Sequence, residues 1–221
     1  MNEVEKKLFL INQRINKACQ IYSSKASEIN LVAVSKKVSA KKILQAIEAG
    51  CKIFGENYVK ETKEKWPEIK KQYPQIKLHL IGHLQSNKAA EAIDLFDCIE
   101  SLDSEKLALE LQKEIAKTKK NPEIFIQVNI GEEEQKSGIA PQELKNFIEF
   151  AKNKCSLNIV GLMCVPPANE AASPYFALLA KMAKENNLKK ISMGMSADFE
   201  DAIALGATHI RLGTAIFGER S

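Results

Sequence analysis

The stretch LVAVSKKVSAKKILQAIEAGCKIFG, residues 31–55, decides the fold. It opens with LVAVS (31–35), an apolar run too continuous for a half-exposed antiparallel strand, the pattern of a strand buried on both faces. It continues through SAKKILQAIEAG, where apolar residues recur at helical spacing, Ser39 stands as a cap and Gly50 as a stop. It closes on CKIFG (51–55), a second buried run. A strand, a helix and a further strand of this kind form a parallel unit.

Outward from this unit the alternation repeats. Further runs are KLHLIG (77–82), DCIES (97–101), IFIQVNI (124–130), IVGLMCV (159–165), KISMG (190–194) and HIRLG (209–213), which brings the total to eight. Helical segments lie between them, such as SEKLALELQKEIAKT, opened by Ser104, and DFEDAIALG, stopped at Gly206. Ahead of the first strand, Val4, Leu8, Ile11, Ile15 and Ala18 form the stripe of an amphipathic helix lying against something. Eight strands alternating with helices fit a closed barrel or an open doubly wound sheet. Even spacing, and no GxGxxG after any run, favour closure. The expectation is an α/β chain, one (β/α)8 TIM-barrel domain over residues 1–221 with an extra N-terminal helix, at the short end of the length such barrels need. PPANEAASP (166–174) reads as a loop overhanging one face.

Composition narrows the function. Apolar residues make up 45% and charged residues 27%, which suits a chain that buries a full core. The net charge of +4 is spread along the chain with no basic block, so nucleic acid is not an expected partner. Five cysteines, Cys19, Cys51, Cys98, Cys155 and Cys164, show no CxxC pair and read as reduced, mostly buried thiols. The three histidines lack metal-ligand spacing with a carboxylate, and no metal site is expected. The N-terminal MNEVEKKLFLINQRI carries charges where a secretory signal needs an unbroken apolar core, and no run reaches membrane-spanning length. Cytoplasmic residence without membrane association is expected.

Chemistry in such a barrel collects where strands end. Those ends carry Ser35, Lys36 and Lys37; Glu56 and Asn57; His83, with Ser86 and Asn87 beyond; Asn129; Met163 and Cys164; Gly194, Met195 and Ser196; and Arg211, Gly213 and Thr214. SMGMS and RLGT place small residues and hydroxyls after adjacent strands, where backbone N–H groups can cradle a phosphate. The plainer alternative makes Ser196 a helix cap and Gly213 a turn residue. Lys36, one residue past a buried strand, can lose solvation and supply the neutral amine that a Schiff base needs; in a lysine-rich chain the alternative is a solvated charge. Lys37 points the other way by strand alternation. Arginine occurs only at 14, 211 and 220, and Arg211, on the eighth strand, can reach a ring bound above it or serve as a rim salt bridge. His79 and His209 read as makers of core or rim hydrogen bonds, and Glu132, Glu133 and Glu134 as a solvated loop.

Together, LVAVSK (31–36), FGENYVKE (54–61), HLIGHLQSNK (79–88), VNIGEEEQKSG (128–138), GLMCVPP (161–167), SMGMSADFEDAI (192–203) and IRLGTAIFGER (210–220) carry a resemblance. The chain resembles the pyridoxal-phosphate homeostasis proteins, relatives of the N-terminal barrel of alanine racemase, over almost its whole length. The resemblance implies a fold-type III barrel that binds pyridoxal 5′-phosphate as an internal aldimine on Lys36. It also implies that Ser196, Gly213 and Thr214 hold the phosphate, that Arg211 faces the pyridine nitrogen, and that Asn57, His83, Asn87 and Met195 line the surroundings. An arginine there is a fixed cation that keeps the nitrogen unprotonated and weakens the ring as an electron sink. One departure stands out: the family often follows its lysine with Thr-Lys-Pro, and here Lys37, Val38 and Ser39 follow.

The implied role is to hold or hand over the cofactor and keep its pool in balance, without racemase turnover. A racemase of this fold adds a β-rich domain that supplies an opposite-face tyrosine, and no residues after Ser221 are expected to supply one. The alternatives are an amino-acid racemase or another slow enzyme using the same cofactor, and, more remotely, a Schiff-base aldolase that never binds it. The expected partners are the cofactor itself and the apo-enzymes that receive it, and the chain is expected to be a monomer.

Overall fold

The computed structural model describes residues 1–22 and 28–219; Arg220, the end of the last motif, lies outside the described residues. Eight parallel strands form a closed barrel in chain order: β1 (Asn30–Val34), β2 (Ile53–Glu56), β3 (Lys77–Leu80), β4 (Cys98–Leu102), β5 (Glu123–Val128), β6 (Ile159–Cys164), β7 (Lys190–Ser192) and β8 (His209–Leu212). Closure runs through β1 and β8, with Asn30 beside His209, Leu31 beside Ile210, Val32 beside Arg211 and Ala33 beside Leu212. The architecture is the one expected from the alternating runs. Each strand lies within about two residues of its apolar run.

The helices are α1 (Glu3–Ile21), α2 (Ala40–Glu48), α3 (Val59–Gln72), α4 (Ala89–Leu95), α5 (Glu105–Ala116), α6 (Leu144–Glu149), α7 (Ala172–Glu185), α8 (Phe199–Ala204) and α9 (Thr214–Phe217). A capping box starts α1: Glu5 N donates to the Asn2 side chain at 2.9 Å, and Asn2 N donates to Glu5 Oε2 at 3.1 Å. Its apolar stripe, Val4, Leu8, Ile11, Ile15 and Ala18, is buried, and the helix packs against α2, α8 and α9. At the α8 contact Arg14 lies over the Phe199 ring and pairs with Glu200. Ser39 precedes α2 without a side-chain cap bond, whereas Ser104 Oγ accepts from Leu107 N at 3.3 Å. The segment 166–174 is shorter as a loop than its composition suggested. Ala172, Ser173 and Pro174 form the first turn of α7, where a proline's missing N–H costs nothing.

Strand alternation splits the strands into two sets of side chains. One set, including Ala33, Phe54, Leu78, Leu80, Ile99, Ile126, Leu162, Ile210 and Leu212, packs against the helices in the main core. The other faces the barrel axis. There Cys98, Phe125 and Met163 form a small separate apolar cluster, beside the buried polar side chains His79, Glu100, Ser192, His209 and Arg211. All five cysteines are buried and reduced. Among the described residues no helix is long and apolar enough to cross a membrane.

Candidate functional site

Val32 and Val34 face the axis, so the same alternation points Lys36 into the barrel mouth. Val38 N donates to Ser35 O at 3.0 Å, closing a turn whose central residues are Lys36 and Lys37. Lys37 is exposed and left-handed at φ 57°, a conformation that costs an L-residue about 1 kcal/mol.

Groups behind the strand hold this turn. Lys37 N donates to Glu61 Oε1 at 2.6 Å, and Lys65 Nζ donates to Ser35 O at 2.8 Å. The Ser35 hydroxyl donates to Glu56 Oε1 at 2.6 Å, which also accepts from Trp66 Nε1 at 2.9 Å and pairs with Lys65 at 2.8 Å. Glu56, Ser35 and Trp66 are wholly buried. The α3 helix therefore pins both neighbours of Lys36 from outside the barrel and leaves the side chain between them facing in.

Lys36 lines a cavity of about 410 Å³ together with Val34, Asn57, Ile81, Val165, Met195, Ser196, Ala197, Arg211, Gly213 and Thr214. That volume falls in the range of small-ligand sites, which run from about 300 Å³ upward. Asn57 follows β2, and its Oδ1 is buried with no hydrogen-bond partner among the described residues. Its backbone sits on Gly82: a Cβ at Gly82 would come within 2.4 Å of Asn57 O and 2.7 Å of Asn57 Cα. Only glycine leaves room for that approach.

The far end of the cavity is built from the loops after β7 and β8. Gly194 turns the first at φ +90°, and Met195 N donates to Asp198 Oδ1 at 2.6 Å, with Asp198 at the cap of α8. Ser196 is not that cap. Its hydroxyl accepts from Ala215 N at 3.3 Å, tying the loop to the first turn of α9 beside Gly213 and Thr214. Two hydroxyls and a glycine thus converge at one end of the cavity, with an amine at its wall.

Arg211 closes the floor and is 5% exposed. Its Nη1 donates to Ser192 Oγ at 2.6 Å and its Nη2 to Cys164 O at 2.8 Å. Ser192 Oγ donates to Glu100 Oε2 at 2.6 Å, and Glu100 Oε1 pairs with His79 Nδ1 at 2.6 Å. Burial pushes the Glu100 carboxyl up, but His79 and Arg211 outweigh it and bring it to about 2. Burial lowers His209, across from His79, to about 4, so it is neutral at pH 7. His79, Cys98 and Glu100 also place ligand-type atoms within 4.8 Å of one another. Here, though, His79 Nδ1 and both Glu100 oxygens are engaged in hydrogen bonds, and burial holds the Cys98 thiol well above its ordinary range.

The structure brings Lys36, Asn57, Met195, Ser196, Arg211, Gly213 and Thr214 together. It places His83 and Asn87 elsewhere, in a second depression with Gln85, Ser86, Asp103 and Lys106. There His83 Nδ1 lies 3.0 Å from Asp103 Oδ2 and 3.3 Å from Ser137 Oγ. Glu133 leaves the loop of three glutamates partly buried, its N–H donating to Asn129 Oδ1 at 3.2 Å. Sequence reading passed over Glu100 and Ser192 beneath Arg211, and Glu61 and Lys65 behind Lys36, and it placed Glu56 only at a strand end. A carboxylate inside the apolar run DCIES was the available signal for the first of these.

Residues 11–221 match the family described as alanine racemase, N-terminal domain. The chain is 37% identical over 230 residues to the pyridoxal phosphate homeostasis protein of Vibrio cholerae, covering 100% of this chain and 98% of that one. It is also 37% identical over 233 residues to the human protein of the same name, covering 95% and 84%. PipY of Synechococcus elongatus, solved with PLP bound, superposes with a TM-score of 0.80 at 33% identity, covering 93% of this chain and 100% of PipY. The alanine racemase of Clostridium difficile, at 14% identity and a TM-score of 0.72, shares the fold across 98% of this chain and 56% of its own.

Proposed function

The chain belongs to the pyridoxal phosphate homeostasis proteins, within the alanine racemase N-terminal domain family, and from that premise we propose that it holds pyridoxal 5′-phosphate in the cavity at Lys36. The cavity's donor set fits that molecule. An amine stands at the wall for its aldehyde, hydroxyls and small residues at one end for its phosphate, and a buried cation at the floor for its ring. The buried Asn57 Oδ1, without a partner among the described residues, fits a polar ligand better than a sealed apolar core. When bound, the cofactor supplies an aldehyde that condenses with amines and a ring that absorbs in the visible.

The residues divide the work. Lys36 provides the covalent attachment point, Ser196, Gly213 and Thr214 bind the phosphate, Arg211 anchors the ring end, and Asn57 and Met195 flank it. His83 and Asn87 belong to the neighbouring depression and act, in this reading, at the rim of the mouth rather than against the ring. The role is to store and release the cofactor for apo-enzymes rather than to turn over amino acids. One observation carries this. Apart from Lys36 and Arg211, the described residues lining the cavity include no titratable side chain, so this lining offers no second acid–base side chain to work opposite the lysine.

Protein mixed with pyridoxal 5′-phosphate and reduced with borohydride is expected to carry the label on Lys36, with Lys36→Ala unlabelled. It is also expected to racemise none of a panel of amino acids. A label on another lysine refutes the site, and measurable racemisation refutes the storage role in favour of a slow enzyme.

A further inference from the structure

The five polar side chains inside the barrel are more than a wet core, because their hydrogen bonds have a forced direction. A guanidinium has only donors, so the Ser192 oxygen accepts from Arg211 Nη1 at 2.6 Å. The Ser192 proton must then go to Glu100 Oε2, also at 2.6 Å. Glu100 can accept it because it is ionised, with His79 Nδ1 at its other oxygen at 2.6 Å. On the remaining side, Arg211 Nη2 is tied to Cys164 O at 2.8 Å. Two nitrogens of one planar group are thus fixed to β7 and β6. Glu100 is 0% exposed and does not line the cavity, yet through Ser192 it is linked to Arg211, which does. The titratable groups around it are His79 on β3, Cys98 on its own strand, and His209 and Arg211 on β8.

We propose that Glu100 is a positioning residue for the ring end of the cavity: through the Ser192 hydroxyl it fixes the orientation and the bonding direction of Arg211. The inference rests on the reading that the cavity holds the ring of pyridoxal 5′-phosphate above Arg211. A charge displaced by about 1 Å at a distance of about 4 Å, at an effective dielectric of about 20, changes a neighbouring equilibrium several-fold. The state of the bound chromophore should therefore report on Glu100 even though the two do not touch.

Ser192→Ala removes the bridge and keeps the carboxylate and its histidine. Ser192→Thr restores the hydroxyl. Glu100→Gln keeps an acceptor oxygen for Ser192 but removes the charge. Each full-length protein is loaded with pyridoxal 5′-phosphate, its visible band is followed against pH, and borohydride labelling of Lys36 is measured in parallel.

The expected result is Lys36 labelling in all four proteins. The midpoint of the visible band moves at least about threefold in proton concentration for Ser192→Ala, falls to lower pH for Glu100→Gln, and returns to the parent's value for Ser192→Thr. If Glu100→Gln does not fold, the two Ser192 variants carry the test. Labelled variants whose midpoints equal the parent's overturn this proposal alone. A parent that gains no label at Lys36 overturns the site reading and this proposal with it.

Discussion

Acid should weaken this protein through one imidazole. His209 is 3% exposed, lies edge-on to the Phe125 ring at 5.2 Å, and has Nδ1 2.8 Å from Thr208 Oγ1. Burial lowers it from 6.5 to about 4, against an opposing pull from Glu100. A base with a depressed value in the folded state takes up its proton first in the unfolded chain. Its effect on stability is therefore nil well above pH 6.5, grows as the pH falls through that value, and is complete below about 4. At about 1.36 kcal/mol per unit of pKa, the loss comes to about 3 kcal/mol. That is a large share of the roughly 5–15 kcal/mol that holds a typical domain folded. Urea unfolding at half-unit steps from pH 7.5 to 4.5, on the parent and on His209→Gln, isolates the effect. The glutamine keeps a polar group in the site but does not titrate. The stability difference between the two should shift in the variant's favour by about 2–3 kcal/mol across this range. Parallel curves would refute the reasoning, because they would mean that His209 is not held neutral by burial.

Two further outcomes concern the site. Glu56→Gln should destabilise the protein by about 2 kcal/mol in urea, since it removes one of the two carboxylates on Lys65 and leaves only Glu61, and should slow borohydride labelling of Lys36 as the turn loosens. Ser196→Ala should weaken pyridoxal 5′-phosphate binding roughly tenfold or more, measured by titrating the visible band, because it removes a hydroxyl from the phosphate end and the tie to Ala215.

The barrel was legible because its cause is local. Each strand buried on both faces writes a continuous apolar run, and each helix restores a period near 3.6. Alternation along one strand likewise separated Lys36, which faces the cavity, from Lys37, which is exposed. What sequence reading passed over depends on distant pairings. Ser192 and Glu100 are 92 residues apart, and Lys65 reaches Ser35 across 30. His83 looked like a strand-end residue aimed at the mouth. The close seating of Asn57 on Gly82 shapes the turn after β3, and His83 comes to rest against Asp103 in the adjoining depression. Ser196 could be read as a cap until the structure showed Asp198 in that place and the Ser196 hydroxyl turned to Ala215.

The seating of α1 bears on how the chain is made. Its buried stripe rests on α8 and α9 as well as α2, and β1 closes the sheet only against β8. During synthesis the first helix meets α2 early but leaves the ribosome almost two hundred residues before α8 and α9, so part of its buried stripe waits for cover. Contacts so distant in sequence make for slow closure and a long interval of exposed apolar surface. The stripe that seals the finished barrel is thus the same surface that invites aggregation while the chain is being made.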